Sequence, residues 1–147
     1  MTARLPVTRA LAALVEKSTG RPCGIGELPR VKGESGFEPA PAPYTILDSL
    51  PGEFGGPPLW DWHADVAWSY QVTSVGERGD QVEWLADRVR AGVVGRVDGR
   101  WAYDLHVPDA RVIDRELTYD AGGEPSVSAA GAIVSYVQRV TVTVTPA

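Results

Sequence analysis

The feature that most constrains the fold is a change of hydrophobic period within one stretch of the chain. From Asp65 to Val75, large apolar residues alternate with small or polar ones, which predicts a β-strand with one apolar face. Beyond Gly76 the apolar residues recur at helical spacing, at Val82, Leu85, Ala86, Val89 and Val93. The chain therefore has to turn directly from a strand into an amphipathic helix whose apolar stripe is buried.

The junction between these two segments, Gly76–Asp80, invites comparison with a phosphate-binding loop because it is a glycine-bearing turn from strand to helix. It contains two acids, however, and lacks both the GK[ST] ending of a P-loop and the GxGxxG spacing of a dinucleotide site. The sequence instead predicts a tight turn in which Asp80 is the N-cap, with Glu83 three residues on completing an acidic capping box.

The remaining segments complete an α+β pattern. An N-terminal helix is predicted from apolar residues at helical spacing, and the other periodic segments predict strands. The predicted helix is Pro6–Lys17, and the predicted strands are Tyr44–Leu47, Trp101–Val107, Arg111–Tyr119 and Ala132–Thr145, with a turn at Pro108–Asp109. This order predicts a single domain over residues 1–147, with a mostly antiparallel sheet and two helices on one face.

Three glycine- and proline-rich segments are predicted to be long loops, near residues 24–43, 51–62 and 120–130, the first with a short strand near Gly26–Leu28. The second carries an apolar group, Phe54, Leu59, Trp60 and Trp62, that a partner surface explains better than solvent does. Trp68 and Tyr70 could join Trp60 and Trp62 in a stacking platform for bases or sugars. Their alternation with Val66 and Val72 favours the core instead.

Composition narrows the function classes. The 147 residues include 14 Lys plus Arg and 19 Asp plus Glu, giving a net charge of -5, and the basic residues are scattered. Sequence-specific DNA binding is therefore disfavoured. The single cysteine, Cys23, allows no intrachain disulfide and favours an intracellular or particle-bound protein. The apolar run Ala10–Val15 is too short to cross a bilayer, so a soluble protein with no membrane contact is expected.

Few residues suggest chemistry. A metal or proton-transfer site could be formed by Asp61, His63 and Asp65, or separately by Asp104 and His106. Histidines that simply lie at the surface or in an interface explain the same residues. Cys23 has no nucleophile-like sequence around it, no serine lies in GxSxG, and the glycines of Gly24–Ile25–Gly26 lack the third glycine of a dinucleotide fingerprint. No catalytic residue, cofactor or metal is predicted, and the expectation is a protein that is not an enzyme.

Two segments carry a resemblance to a known family. Tyr70–Gly76 together with Gln81–Arg90 is similar to the strand-helix core of tail-terminator (minor tail) proteins from long-tailed bacteriophages of actinobacteria. The N-terminal helix, the segment PYTIL at Pro43–Leu47, the irregular loop after it and a terminal Val/Thr strand also resemble that layout. The similarity covers Pro43–Arg90 best and the last third of the chain only in outline.

The resemblance implies a homo-hexameric ring on the head-proximal end of the tail tube. Such a ring stops tube polymerisation, contacts the tail tube protein and the head-neck connector proteins, and lets DNA pass through its lumen without specific binding. The expected location is the tail-neck junction of the virion, and the host cytoplasm during assembly. Ring contacts are expected from the loops Val31–Pro43, Pro51–Trp62 and Asp120–Ala130, with a set of candidate interface residues: Phe54, Leu59, Trp60, Trp62, Val134, Tyr136 and Val142.

Two alternatives stay open at this stage. A head-tail neck adaptor or stopper has similar size and symmetry, and it would sit on the portal side of the same joint. A small-ligand-binding or hydrolytic domain would instead use His63, His106 and Asp104.

Overall fold

A computed structural model of the chain describes residues 2–55, 65–128 and 131–147. Within these ranges the chain forms two helices, α1 (Arg4–Thr19) and α2 (Gly79–Val94), and ten strands. The strands are β1 (Cys23–Ile25), β2 (Arg30–Gly33), β3 (Gly36–Pro39), β4 (Tyr44–Ser49), β5 (Glu53–Gly55), β6 (Asp65–Gly76), β7 (Arg96–Val97), β8 (Arg100–Trp101), β9 (Ala110–Ser128) and β10 (Gly131–Pro146). No helix of the described residues has the length and apolar character that a bilayer span requires.

Six of the strands form one sheet in the order β1-β4-β6-β10-β9, with β5 pairing with β6. Because the start of β6 also pairs with β10, β5 lies on the same side of β6 as β4. Only β1 and β4 run parallel, and the other pairs are antiparallel. The strands β2 and β3 form a separate hairpin, as do β7 and β8. The predicted α+β fold with a mostly antiparallel sheet is confirmed.

The core lies between one face of the sheet and the two helices. On β6 the predicted apolar face is buried through Val66, Trp68, Tyr70 and Val72. The facing side chains of β10 are Gln138, Val140, Val142 and Val144, and all four are fully buried. Helix α1 contributes Val7, Leu11 and Val15, and α2 contributes Val82, Leu85 and Val89. Each such side chain contributes roughly 1.5–3 kcal/mol on burial, so the alternation in two strands and the stripes of two helices specify the same core.

Helix α2 begins earlier after β6 than the predicted N-cap at Asp80 implies. Helix α2 begins at Gly79, its N-cap is Arg78, and no side chain makes a cap hydrogen bond. The predicted N-cap role of Asp80 is therefore wrong, because Asp80 already lies in the first helical turn. Its negative charge there still interacts favourably with the helix dipole. Its carboxylate accepts hydrogen bonds from the Arg78 side chain and the Gln81 amide. The hydrogen-bonding groups of this turn are used by the start of α2 itself, which agrees with the sequence argument against a phosphate site.

The predicted loops contain more strand than their glycine and proline content indicated. Residues within 24–43 form the β2–β3 hairpin, Glu53–Gly55 pairs with β6, and β9 continues to Ser128. Conversely, the predicted strand Trp101–Val107 is wrong beyond its first residue. Trp101 pairs instead with Arg96 in the short β7–β8 hairpin, whose two-residue turn at Asp98–Gly99 has φ values of 52° and 77°. The segment that follows buries Leu105 and Val107 in the core without forming a strand.

The long strand β9 stays paired with β10 through three register shifts, which lie opposite Ser135/Val137, Arg139/Val140 and Thr143/Val144. Each shift is a β-bulge that leaves extra residues in β9 without a direct partner. The bulge at Ile113 changes the spacing of helix-facing residues, so that Val112 and Arg115, although three positions apart, both lie on the core side together with Leu117. The first bulge contains the glycines that led to the prediction of a loop at residues 120–130.

Arg4 joins the start of α1 to the sheet. Its guanidinium donates hydrogen bonds to the backbone carbonyls of Leu50 and Ser69, the latter at 2.6 Å. The same group lies over the rings of Trp68, at 4.8 Å, and Tyr70, at 5.0 Å. The Tyr70 hydroxyl in turn makes a buried hydrogen bond of 2.9 Å with Thr8, so α1 is fixed to β6 by polar contacts as well as by apolar burial.

We predict that Arg4→Ala lowers the free energy of unfolding by about 3 kcal/mol, because it removes two charge-assisted hydrogen bonds and two cation–π contacts. The matched control is Arg9→Ala on the same helix, since Arg9 is an exposed arginine of α1. We expect the control to change stability by less than about 0.5 kcal/mol. Urea unfolding followed by circular dichroism measures both values, and equal losses would contradict the role assigned to Arg4.

Candidate functional site

The predicted interface residues on β10 lie on the helix side of the sheet. Val142 is fully buried between the sheet and the helices, so the prediction that it contacts a neighbouring subunit is wrong for the folded chain. The physical reason is that an apolar face of a central strand is covered by the chain's own helices. Val134 and Tyr136 share that side of β10 near its start and are half-buried, and their interface role stays a prediction.

Tyr136 takes part in a polar cluster where β9 and β10 pass α2. Arg90 of α2 donates hydrogen bonds to the carboxylates of Asp87 and Asp120, at 2.8 and 2.9 Å. A hydrogen bond with Asp120 and then burial raise the pKa of Tyr136, while Arg90 opposes this shift. The cluster ties the far end of the β9–β10 pair to the helix layer, which limits how freely Tyr136 could meet another protein.

Phe54 on β5 is partly exposed at the surface. Its side chain is 48% exposed, and its ring meets that of Trp68 edge to face at 5.5 Å. It therefore extends the core aromatic Trp68 to the surface, which fits the predicted role in a contact. The other members of its predicted group, Leu59, Trp60 and Trp62, lie outside the described residues, as does His63.

The outer edge of β9 is the largest surface feature that the sequence did not predict. β9 is the last strand of the sheet, and its outer edge pairs with no strand of the described chain. Ile113, a bulge residue, is 51% exposed there, and Tyr119 is also exposed. A long strand edge with exposed apolar side chains can pair with another chain unless it is protected. The only sequence signal for it was the Val/Ile-containing run Arg111–Tyr119, whose position at the edge is a property of the topology.

The β2–β3 hairpin forms an arm beside α1. Its strands pair only with each other, and Phe37 on β3 is 73% exposed. The arm is anchored where it returns to the sheet, because the Arg21 guanidinium donates hydrogen bonds to the carbonyls of Pro41 and Pro43, at 3.1 and 2.8 Å. The hairpin thus presents an exposed aromatic ring on a short element with a fixed base.

The second face of the sheet carries no helix from the described residues. Its side chains on β6 are small or polar, and the apolar Ile46 and Val137 lie beside Thr73 on the neighbouring strands. Ser69 and Thr141 hydrogen-bond across β6 and β10 at 3.0 Å. Arg139 donates to the Gln71 side chain at 3.3 Å and lies over the Tyr119 ring at 5.0 Å. We call this surface the uncovered face. Arg139 is an exposed cation on this face, and its partners Gln71 and Tyr119 are neutral, so its positive charge remains.

Asp104 and His106, candidates for acid-base or metal chemistry, line a pocket of about 380 Å³ together with Trp101, Arg111 and Arg115. No group of three potential metal ligands occurs in the described part of the chain. Arg115 is unexpected in this pocket, because it is a charged residue that is only 5% exposed. Burial lowers the pKa of the Arg115 guanidinium, Asp104 opposes that shift and Arg96 adds to it.

Cys23 has the surroundings of an unreactive thiol. Burial raises its pKa to about 11, a hydrogen bond with Thr45 partly opposes this, and the Glu16 charge raises it further. The thiolate is the nucleophilic form of cysteine, so almost none is present at neutral pH. This environment is that of a partly buried structural thiol, which agrees with the absence of a nucleophile-like sequence around Cys23.

We predict that iodoacetamide alkylates Cys23 in the folded protein at pH 8 more than ten-fold more slowly than a free model thiol, because the thiolate fraction is so small. The rate should rise with pH up to about 11, the raised pKa. The free energy of unfolding should fall over the same range, since an acid whose folded pKa is raised loses its stabilising contribution as pH rises above the unfolded value. Mass spectrometry of timed samples measures the rate, with protein in 8 M urea as the control. Equal rates in buffer and urea would contradict the assignment.

Compared with known proteins, the chain matches no protein-family model, and no curated protein is significantly similar to it. Its function has therefore to be argued from the surfaces described above.

Proposed function

We propose that this protein is a bacteriophage tail terminator, which assembles into a ring on the head-proximal end of the tail tube, stops tube polymerisation and joins the tail to the head-neck connector. The observation that carries the proposal is the pair of unlike sheet edges. One edge is the 19-residue strand β9, and the opposite edge consists of β1 and β5, with three residues each.

Unlike edges suit a ring because a cyclic assembly above a dimer needs heterologous contacts, in which one surface of a subunit meets a different surface of the next. The β9 edge supplies unpaired backbone groups and the exposed side chains of Ile113 and Tyr119. Addition of a neighbouring strand to this edge would satisfy the backbone groups and bury both side chains. The opposite edge, with Phe54 exposed on β5, is short and differs in chemistry, as such a contact requires.

The uncovered face supports passage of DNA through a lumen. It includes serine, threonine and glutamine side chains together with the apolar Ile46 and Val137. Nonspecific affinity for DNA comes mainly from lysine and arginine contacts with phosphates. The net charge of -5 disfavours tight binding of DNA by this chain, and Arg139 is an exposed cation on this face.

Contacts with the tail tube protein and the connector proteins would come from the elements that project from the sheet. The β2–β3 arm presents Phe37, and β5 presents Phe54. Both elements are anchored at their bases, the arm by Arg21 and β5 by pairing with β6, so contact would cost little ordering entropy. A neck adaptor would use the same kinds of surfaces, and the position of the ring in particle images separates the two roles.

We predict that the purified protein forms rings of several subunits, and that Ile113→Asp shifts the assembly equilibrium toward monomers by at least about ten-fold, because a charge replaces an apolar contact at the β9 edge. Val97→Asp is the matched control, since Val97 is also β-branched and is 62% exposed on the β7–β8 hairpin. Mass photometry measures the species, electron microscopy shows their shape, and circular dichroism verifies that both variants fold.

The biological counterpart is a phage that lacks the gene for this protein, for which we expect tails of uncontrolled length that fail to join heads. Complementation with the Val97→Asp variant should restore normal tails, and complementation with Ile113→Asp should not. A protein that stays monomeric at all concentrations and leaves tail length unchanged would overturn the proposal.

A further inference from the structure

The pocket beside the start of β9 contains a buried charge without a counter-charge. It lies between the segment Trp101–Val107 and residues Ala110–Arg115, and its volume is about 380 Å³. At its base, Arg115 is only 5% exposed. None of the described residues places a carboxylate within 4.0 Å of the Arg115 guanidinium, although Asp104 lines the same pocket.

The hydrogen bonds of Arg115 are incomplete as well. Its Nη1 atom donates to the Val93 carbonyl at a long 3.4 Å, and its buried Nε has no partner. The guanidinium lies 4.7 Å from the centre of the Trp101 ring, and Arg96 lies over the same ring at 3.9 Å. A second cation close by increases the cost of burying Arg115. A buried guanidinium is costly unless an anion or further acceptors complete it, and nothing in the described chain does so.

The charge of the lining indicates which anion fits. Arg111 and Arg115 are cations of the lining and Asp104 is an anion, and Arg96 lies close by over the Trp101 ring, so the site is net positive. Asp104 repels any anion, but it repels a dianionic phosphate or sulfate more strongly than a monoanionic carboxylate. The planar edge of a guanidinium also matches the two oxygens of a carboxylate.

We propose that this pocket binds a single carboxylate group, with Arg115 as the buried donor and Arg111 as the second cation. The proposal concerns the pocket alone and does not depend on ring formation. The carboxylate has two possible sources of the same chemistry, a free small-molecule carboxylate or an acidic side chain from a second copy of this chain.

The first experiment titrates acetate, sulfate and chloride into isotopically labelled protein at pH 7.5 and constant ionic strength. The probe is the indole N–H signal of Trp101 in nuclear magnetic resonance spectra, assigned with Trp101→Phe. We expect acetate to shift this signal saturably, and chloride or sulfate to shift it much less. A response that is the same for all three salts would overturn the proposal.

Variants locate the binding group without relying on the buried residue alone. Arg111→Gln should weaken acetate binding at least several-fold, and Arg100→Gln is its matched control, because Arg100 is an exposed arginine on β8 that does not line the pocket. Asp104→Asn should bind acetate more tightly and should gain sulfate binding, since it removes the repelling charge. Arg115→Met should abolish acetate binding if the variant folds. Equal affinities in Arg111→Gln and Arg100→Gln would contradict the proposal.

Mass photometry at low and high acetate then identifies the source. If a second copy supplies the carboxylate, excess acetate and Arg111→Gln both shift assemblies toward smaller species. If the ligand is a free carboxylate, the size distribution stays constant while acetate binding persists. Either result supports the pocket, and a failure of the protein to form rings leaves the acetate titration interpretable.

Discussion

Burial of the alternate side chains of β6 under two helices is the constraint on which the rest of the structure depends. β6 is paired along both edges, with β10 on one side and β4 and β5 on the other. Tyr70 at its middle is fully buried and hydrogen-bonded to Thr8 of α1. Because its two edges and one face are occupied by the chain itself, every surface left for another molecule lies at the periphery or on the uncovered face.

The bulges of β9 have a consequence for both the edge and the pocket. A regular strand would alternate strictly, whereas the bulge at Ile113 places that side chain outward and keeps Val112 and Arg115 on the helix side. Arg115 therefore lies against the Trp101 ring, and the Nε atom of its guanidinium has no hydrogen-bond partner among the described residues. The same irregularity that exposes an apolar residue at the sheet edge thus buries a cation beside it, which is why the two proposed contact sites are neighbours along one strand.

Sequence reasoning was most successful where one residue pattern had a single structural solution. The alternation in β6 and the apolar stripe of α2 correctly identified buried faces, because a side chain every second or every third to fourth position can face only one way. It failed where glycine and proline were taken to exclude pairing, since bulges and edge positions tolerate both. It also failed for Val142, where an apolar strand face was assigned to a partner although the chain's own helices cover it.

The sequence by itself determined the α+β composition, the buried face of β6, the buried stripe of α2 and the absence of a phosphate-loop pattern at Gly76–Asp80, because these depend on local periodicity and local chemistry. Only the tertiary structure decided that β9 is the last strand of the described sheet, that Asp104 and His106 share a pocket with Arg111, and that Arg115 is buried without a counter-charge from the described residues. These features depend on which segments, distant in sequence, lie side by side after folding. No local pattern carries that information, since an edge strand and a central strand can have the same sequence period.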